Sequence, residues 1–207
     1  MKGYRDMTRE ELLAQRQELN ERYAKYKSLN LTLDMTRGKP SPLQLDLSND
    51  IYDVLNGDFK TAKGQDTRNY GIAEGIEEIR AVFGEILGTD KDNVFMGNSS
   101  SLNQMYDAIM RAMVFGEVDS PKPWAQVEGR KWLCPTPGYD RHFRVTETLG
   151  FELIPVPITE DGPDMDVVEQ LVKDEKVKGI WCVPCYSNPD GIVYSEEVCD
   201  RLARMET

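Results

Sequence analysis

The sequence predicts an α/β fold: a mostly parallel sheet with helices on both faces, preceded by an N-terminal helical arm. Three observations carry this expectation. From Gly75 onward, short apolar runs alternate with segments of helical periodicity. One run, Val177–Val183, is nearly continuous in apolar residues, as a strand covered on both faces requires. Before Gly75 the pattern differs: a long polar helix, then a stretch broken by Gly38, Pro40 and Pro42.

Each element has a local reason. Thr8-Arg9-Glu10-Glu11 is a capping box, in which Thr8 accepts from the third helical N–H and Glu11 reaches back. The helix it starts should run to about Leu29, with Leu12, Leu19, Tyr23 and Tyr26 on one stripe, as a surface arm. Leu31 to Pro42 reads as extended, and Asp50–Leu55 as a short helix. Ile76, Ile79, Phe83 and Ile86 are spaced for one helical face. Asn93–Met96 reads as a short strand, and Leu102, Met105, Tyr106, Ile109, Met110 and Met113 as a helical stripe. Strand, helix, strand, helix, strand and helix follow at Lys131–Cys134, Tyr139–Leu149, Phe151–Ile158, Pro163–Val172, Val177–Val183 and Ser195–Met205. Ser195 is the expected cap of the last helix.

Composition narrows the function classes. The 207 residues carry a formal net charge of −11, with the acids spread along the chain, which argues against a nucleic-acid-binding surface. No apolar run approaches the roughly 20 residues of a membrane span, and the N-terminus has no apolar stretch of the secretory kind. Four unevenly placed cysteines make no disulfide framework. The expectation is a soluble cytoplasmic protein, with no nucleic-acid or membrane partner.

Three segments are candidates for a site. Val94 to Leu102 reads as strand, turn and helix start; Ser99, Ser100 and Ser101 offer hydroxyls where helix-terminal N–H groups favour an anion. Alone, the segment reads more readily as an ordinary serine N-cap. Tyr70, in Asn69-Tyr70-Gly71, stands in a loop before a helix, where its hydroxyl can donate to an anion or simply pack. Asn188-Pro189-Asp190-Gly191 must turn at the carboxyl end of the most apolar strand, where ligands of open α/β sheets bind. The Asn188 amide there can donate and accept, or serve the turn alone.

A competing motif is Trp181-Cys182-Val183-Pro184-Cys185, whose Cys182 and Cys185 suggest a thioredoxin-like dithiol oxidoreductase. That chemistry wants a thiol at a helix start, and Pro189 and Gly191 delay the next helix. A metal site is not expected, because there is no second cysteine pair and His142 is the sole histidine. His142 reads as a helix-face residue.

Taken in order, five segments resemble the class I/II aminotransferases of pyridoxal-phosphate (PLP) fold type I. They are Thr36-Arg37-Gly38-Lys39-Pro40; Asn69-Tyr70-Gly71 with Gly75 and Ile79-Arg80; the serine turn at 98–101; Pro137-Gly138-Tyr139-Asp140-Arg141; and Asn188-Pro189-Asp190-Gly191. The resemblance covers residues 30–207 and is greatest to an aspartate-aminotransferase-like bacterial subgroup. It implies pyridoxal 5'-phosphate as cofactor, amino-acid and 2-oxo-acid substrates, and a homodimer. Residues 1–45 would form an arm contributing to a small domain, and 46–207 an incomplete large domain. Ser99, Ser100 and Ser101 would hold the cofactor phosphate, and Tyr70 would reach the phosphate of the neighbouring subunit. Asn188 would bond the ring's phenolic oxygen, Tyr139 would stack on the ring in place of the family's usual aromatic at the Thr136 position, and Gly38 would lie near the substrate carboxylate.

The resemblance also marks what this chain lacks. The cofactor-binding lysine, the carboxylate beside the pyridine nitrogen and the substrate-binding arginine are all expected beyond Thr207; the last lysine here, Lys178, precedes Asn188. The chain alone is therefore expected to be an inactive N-terminal fragment with exposed sheet edges. A PLP-dependent lyase or synthase on the same scaffold, or a non-catalytic interaction module, remain alternatives.

Overall fold

A computed structural model describes residues 3–34, 36, 38–54 and 56–206. Arg37 of the early glycine loop and Leu55, the expected end of the short helix, lie outside the described residues. The chain divides into two compact units, Met1–Asn69 and Tyr70–Thr207.

The first unit opens with the long helix α1 (Arg9–Ser28), held at its start by the predicted capping box. The Thr8 amide donates to Glu11 Oε2 at 2.6 Å and the Glu11 amide to Thr8 Oγ1 at 3.3 Å. Leu12, Leu19, Tyr23 and Tyr26 are all exposed, consistent with a surface arm. Pro42 does not end an extended stretch; it opens a short helix, α2 (Pro42–Asp46), through a second capping box between Ser41 and Gln44. Proline suits the first helical position, where its missing N–H has no intrahelical acceptor to lose. A 3-10 turn at Asn49–Asp53 takes the place of the short helix read there.

In the second unit, α3 (Glu77–Leu87) and α4 (Ser101–Phe115) precede the sheet. Then come β1 (Lys131–Thr136), α5 (Asp140–Thr148), β2 (Glu152–Thr159), β3 (Gly162–Pro163), α6 (Met165–Leu171), β4 (Val177–Ile180) and α7 (Glu196–Ala203). Strand order is β3-β2-β1-β4, with β1 parallel to both β2 and β4 and the short β3 antiparallel to β2. Pro163 thus belongs to β3, and the helix expected from it starts at Met165, where Asp164 Oδ1 caps the amides of Asp166 and Val167.

The alternation of β1 separates two cores. Trp132 and Cys134 point into one, with Ile109 and Met113 of α4, Phe151 and Trp181, and with Phe143 and Val145 of α5 and its C-cap residue Leu149 packed against them. Leu133 points into the other, with Val156 of β2, Val168 of α6 and Val198 of α7. Both faces of the sheet are therefore covered, as the apolar strands predicted.

The expected strand at Asn93–Met96 does not form. Asn93 ends a 3-10 turn; the Val94 amide still closes that turn on Lys91 O at 3.1 Å, and Met96 N bonds Glu74 O at 2.9 Å. A strand needs a ladder partner, and this segment has none among the described residues. β4 is likewise shorter than its apolar run, although the Trp181 amide still donates to Leu133 O at 3.1 Å.

No helix among the described residues is long and apolar enough to cross a membrane.

Candidate active site

The topology fixes where a site can form. From β1 the chain passes through α5 to β2 on one side; from there it passes through α6, on the opposite face, to β4 on the other side of β1. Connections leaving adjacent parallel strands on opposite faces open a crevice at their carboxyl ends, where open α/β sheets bind ligands. A crevice is found there. Its walls come from the segment after β1 (Pro137, Tyr139, His142) and the segment after β4 (Trp181, Ser187, Asn188).

Asn188 is held by a tight turn. The Ser187 amide donates to Ile192 O at 2.9 Å, the Ile192 amide donates to Ser187 Oγ at 3.1 Å, and the Gly191 amide donates to Ser187 O at 2.5 Å. Ser187 is buried and closes the loop, so Asn188 stands at its exposed side. Tyr139 is the N-cap residue of α5 and is half-buried. It borders the crevice and Thr136 does not; the Thr136 hydroxyl donates instead to Cys134 O at 2.8 Å.

His142 is the residue that sequence reasoning missed. It lies on the helix α5, as expected, but on its inner face: it is buried, with its imidazole stacked on Trp181 (centroids 4.9 Å apart, planes 20° apart). The Tyr139 ring meets it edge-on at 5.0 Å. Its position three residues after Tyr139, on the same helical face, was the available signal. Its Nδ1 is buried with no hydrogen-bond partner, and burial pushes its pKa below the ordinary histidine value. The indole beneath it is fixed by a bond from Trp181 Nε1 to Thr146 Oγ1 at 3.2 Å.

The serine turn forms the start of α4. Ser100 is the N-cap, accepting from the Asn103 amide at 3.4 Å, while Asn98 Oδ1 accepts from the Ser100 amide at 2.7 Å. The amides of Ser101 and Leu102 have no protein acceptor among the described residues, which leaves donors for an anion. Ser99 and Ser101 are exposed. Tyr70 is 96% exposed. Tyr139 and Asn188 both line the crevice; neither Tyr70 nor the serine turn is among its lining residues. Gly38 is exposed in the first unit, with nothing within 4 Å of where a Cβ would lie.

The dithiol reading fails on electrostatics. Cys182 keeps exposed surface, yet local desolvation, and secondarily Cys199, push its thiol up to about 11. A redox nucleophile needs the opposite shift. No helix begins after Cys185 until Glu196.

The residues present fit a flat phosphorylated heteroaromatic cofactor. Tyr139 supplies a ring edge, Asn188 an amide, and the start of α4 free N–H groups. The crevice encloses only about 20 Å³, the room of a single water. Tyr139 and Asn188 would be the residues of this crevice to hold such a ring.

Comparison with known proteins places the whole chain in a family. An aspartate aminotransferase of Corynebacterium glutamicum is 50% identical over 192 residues, covering 92% of this chain and 44% of that protein. The crystal structure of an aspartate transaminase from the same organism superposes with a TM-score of 0.89 at 48% identity, covering 98% of this chain and 48% of that one. A kynurenine aminotransferase of Pyrococcus horikoshii, at 19% identity and a TM-score of 0.61, shares the fold. The chain spans about half the length of the curated relatives it matches. The sequence profile of the aspartate amino-transferase family matches residues 7–207, and the chain belongs to that family.

Proposed function

We propose that this chain is part of a pyridoxal-phosphate-dependent transaminase that moves the amino group of aspartate, or a related amino acid, to a 2-oxo acid. The observation that carries the reading is the meeting of Tyr139 and Asn188 at the carboxyl ends of β1 and β4, in a chain of this family. When bound, the cofactor supplies an electron sink that lets the substrate's α-proton leave.

The chain's own residues bind and orient. The Asn188 amide donates to the oxygen on the cofactor ring, and its tight turn keeps that donor aimed. Tyr139 lies against the ring and limits its tilt. The free amides at the start of α4, with the hydroxyls of Ser99, Ser100 and Ser101, hold the phosphate. Tyr70, on the surface of the second unit, reaches the phosphate of a second subunit, which makes the enzyme a homodimer. Gly38 allows close approach of backbone to the substrate carboxylate. In this reading residues 1–45 are an arm and residues 46–207 part of the cofactor domain. The lysine that binds the cofactor lies in the half of the relatives that this chain does not span, and the enzyme works in the cytoplasm.

The test is to reduce the native protein, taken from its source, with borohydride and to weigh its peptides. A pyridoxyl-lysine on a polypeptide containing this sequence, with aspartate-dependent formation of oxaloacetate, supports the reading. A protein that carries no adduct and forms no oxo acid refutes it.

A further inference from the structure

A second cleft lies at the opposite end of β1. It has a volume of about 580 Å³ and opens between the end of α4, the 3-10 turn at Trp124–Gln126 and the end of α5. That volume is in the range of small-molecule sites, ~300–1,000 Å³. The strand between it and the crevice at Tyr139 is six residues long, which at about 3.3 Å per residue separates the two by roughly 20 Å. It is therefore no extension of the cofactor site.

Its walls have two characters. Met110, Met113, Val114 and Leu149 make an apolar side. Arg130 is the only charged residue lining the cleft among those described. Its guanidinium is half-buried and lies 5.3 Å over the Phe151 ring. One donor is used: Nη2 bonds Leu149 O at 2.6 Å. Nε is buried with no acceptor, and no carboxylate pairs with Arg130 among the described residues. Gly150 makes this placement possible, since a Cβ there would stand 2.8 Å from Arg130 Nη2.

A half-buried guanidinium without a counter-charge is costly unless something balances it. In a chain of formal charge −11, carboxylates are abundant, yet none has been placed here. We infer that this cleft binds a small carboxylate with an aliphatic tail. The carboxylate bonds Arg130, which retains donors for it, with Gln126 as a second polar neighbour. The tail lies along Met110, Met113 and Val114. The proposed transaminase reaction does not use this site.

The experiment titrates octanoate into the cofactor-loaded protein expressed from its complete gene, with calorimetric detection. Binding at about millimolar strength is expected, and acetate, which lacks the tail, should bind at least ~10-fold more weakly. Arg130→Met should weaken octanoate by at least ~10-fold, the loss of a charge-assisted bond. Val114→Asp, at an exposed rim position that does not threaten folding, should weaken it similarly. Both variants should keep their bound cofactor. Octanoate binding that is unchanged in both variants would place the ligand elsewhere, the substrate site included, and overturn the inference. So would the absence of any heat of binding in the unaltered protein.

Discussion

The imidazole of His142 lies flat on the indole of Trp181, joining the helix that follows β1 to the segment that follows β4. The two walls of the crevice are thus tied through aromatic faces, and Tyr139 closes the arrangement from the side. The stack keeps a titratable ring in a place where its charged form is poorly solvated.

That placement gives a pH dependence with a definite sign. Burial lowers the pKa of His142 in the folded protein. An unfolded histidine takes up a proton near ~6.5, where the folded one does not yet do so. Below that pH the unfolded state binds more protons, so stability falls as pH drops through about 6.5 and levels off below the folded-state value. Denaturant midpoints compared between pH 7.5 and pH 5.5 should therefore drop further for the native protein than for His142→Gln. An equal drop in both would mean that His142 is not desolvated in the folded state.

The indole under His142 depends on one hydroxyl. Thr146 is fully buried, accepts from Trp181 Nε1 and donates to Phe143 O at 3.1 Å. Thr146→Val keeps the shape and removes the acceptor, leaving a buried N–H unpaired at a cost of about 1–3 kcal/mol. Thr146→Ser retains the hydroxyl and should recover most of that loss in a chemical unfolding series. If valine is tolerated as well as serine, the indole bond is not stabilising.

Tyr139 separates ring from hydroxyl. If its ring lies against the cofactor, Tyr139→Phe should bind pyridoxal phosphate nearly as well as the native residue. Tyr139→Ala should lose ~3–10-fold in affinity, the range expected for one aromatic contact. Absorbance titration of the cofactor-free protein measures both. A phenylalanine variant as weak as alanine would shift the role to the hydroxyl.

Two residues of the crevice wall were legible in the sequence, because each stands in a local turn signal. Asn188 had to turn at a strand end by composition, and Tyr139 sits in a Pro-Gly-Tyr run that ends β1 and starts α5. The capping box at Thr8 and the cap at Ser195 were readable for the same reason. His142 was not, because its burial is decided by Trp181, a residue distant in sequence that becomes its neighbour only through the parallel pairing of β1 and β4. Asn93–Met96 was misread from the other direction. Its extended preference is real, but strand formation is a property of a pair, and the described residues contain no partner.

The sheet itself offers the sharpest packing test. Gly179 lies inside β4, and a Cβ there would stand 2.5 Å from Trp132 Cη2. An indole at the end of a free side chain could move aside. Trp132 cannot do so easily, since its ring meets Phe151 at 5.4 Å, Trp181 at 5.2 Å and Trp124 at 6.2 Å. Gly179→Ala must therefore displace the ring cluster or push β4 from β1, an overpacking cost of about 1–3 kcal/mol. The companion change Trp132→Phe makes room. The double variant should then be less destabilised than the sum of the two single changes, by about 0.5–3 kcal/mol of coupling. Urea unfolding of the four proteins in the cycle reads this directly, and additive effects would show that the strand accommodates the methyl group without touching Trp132.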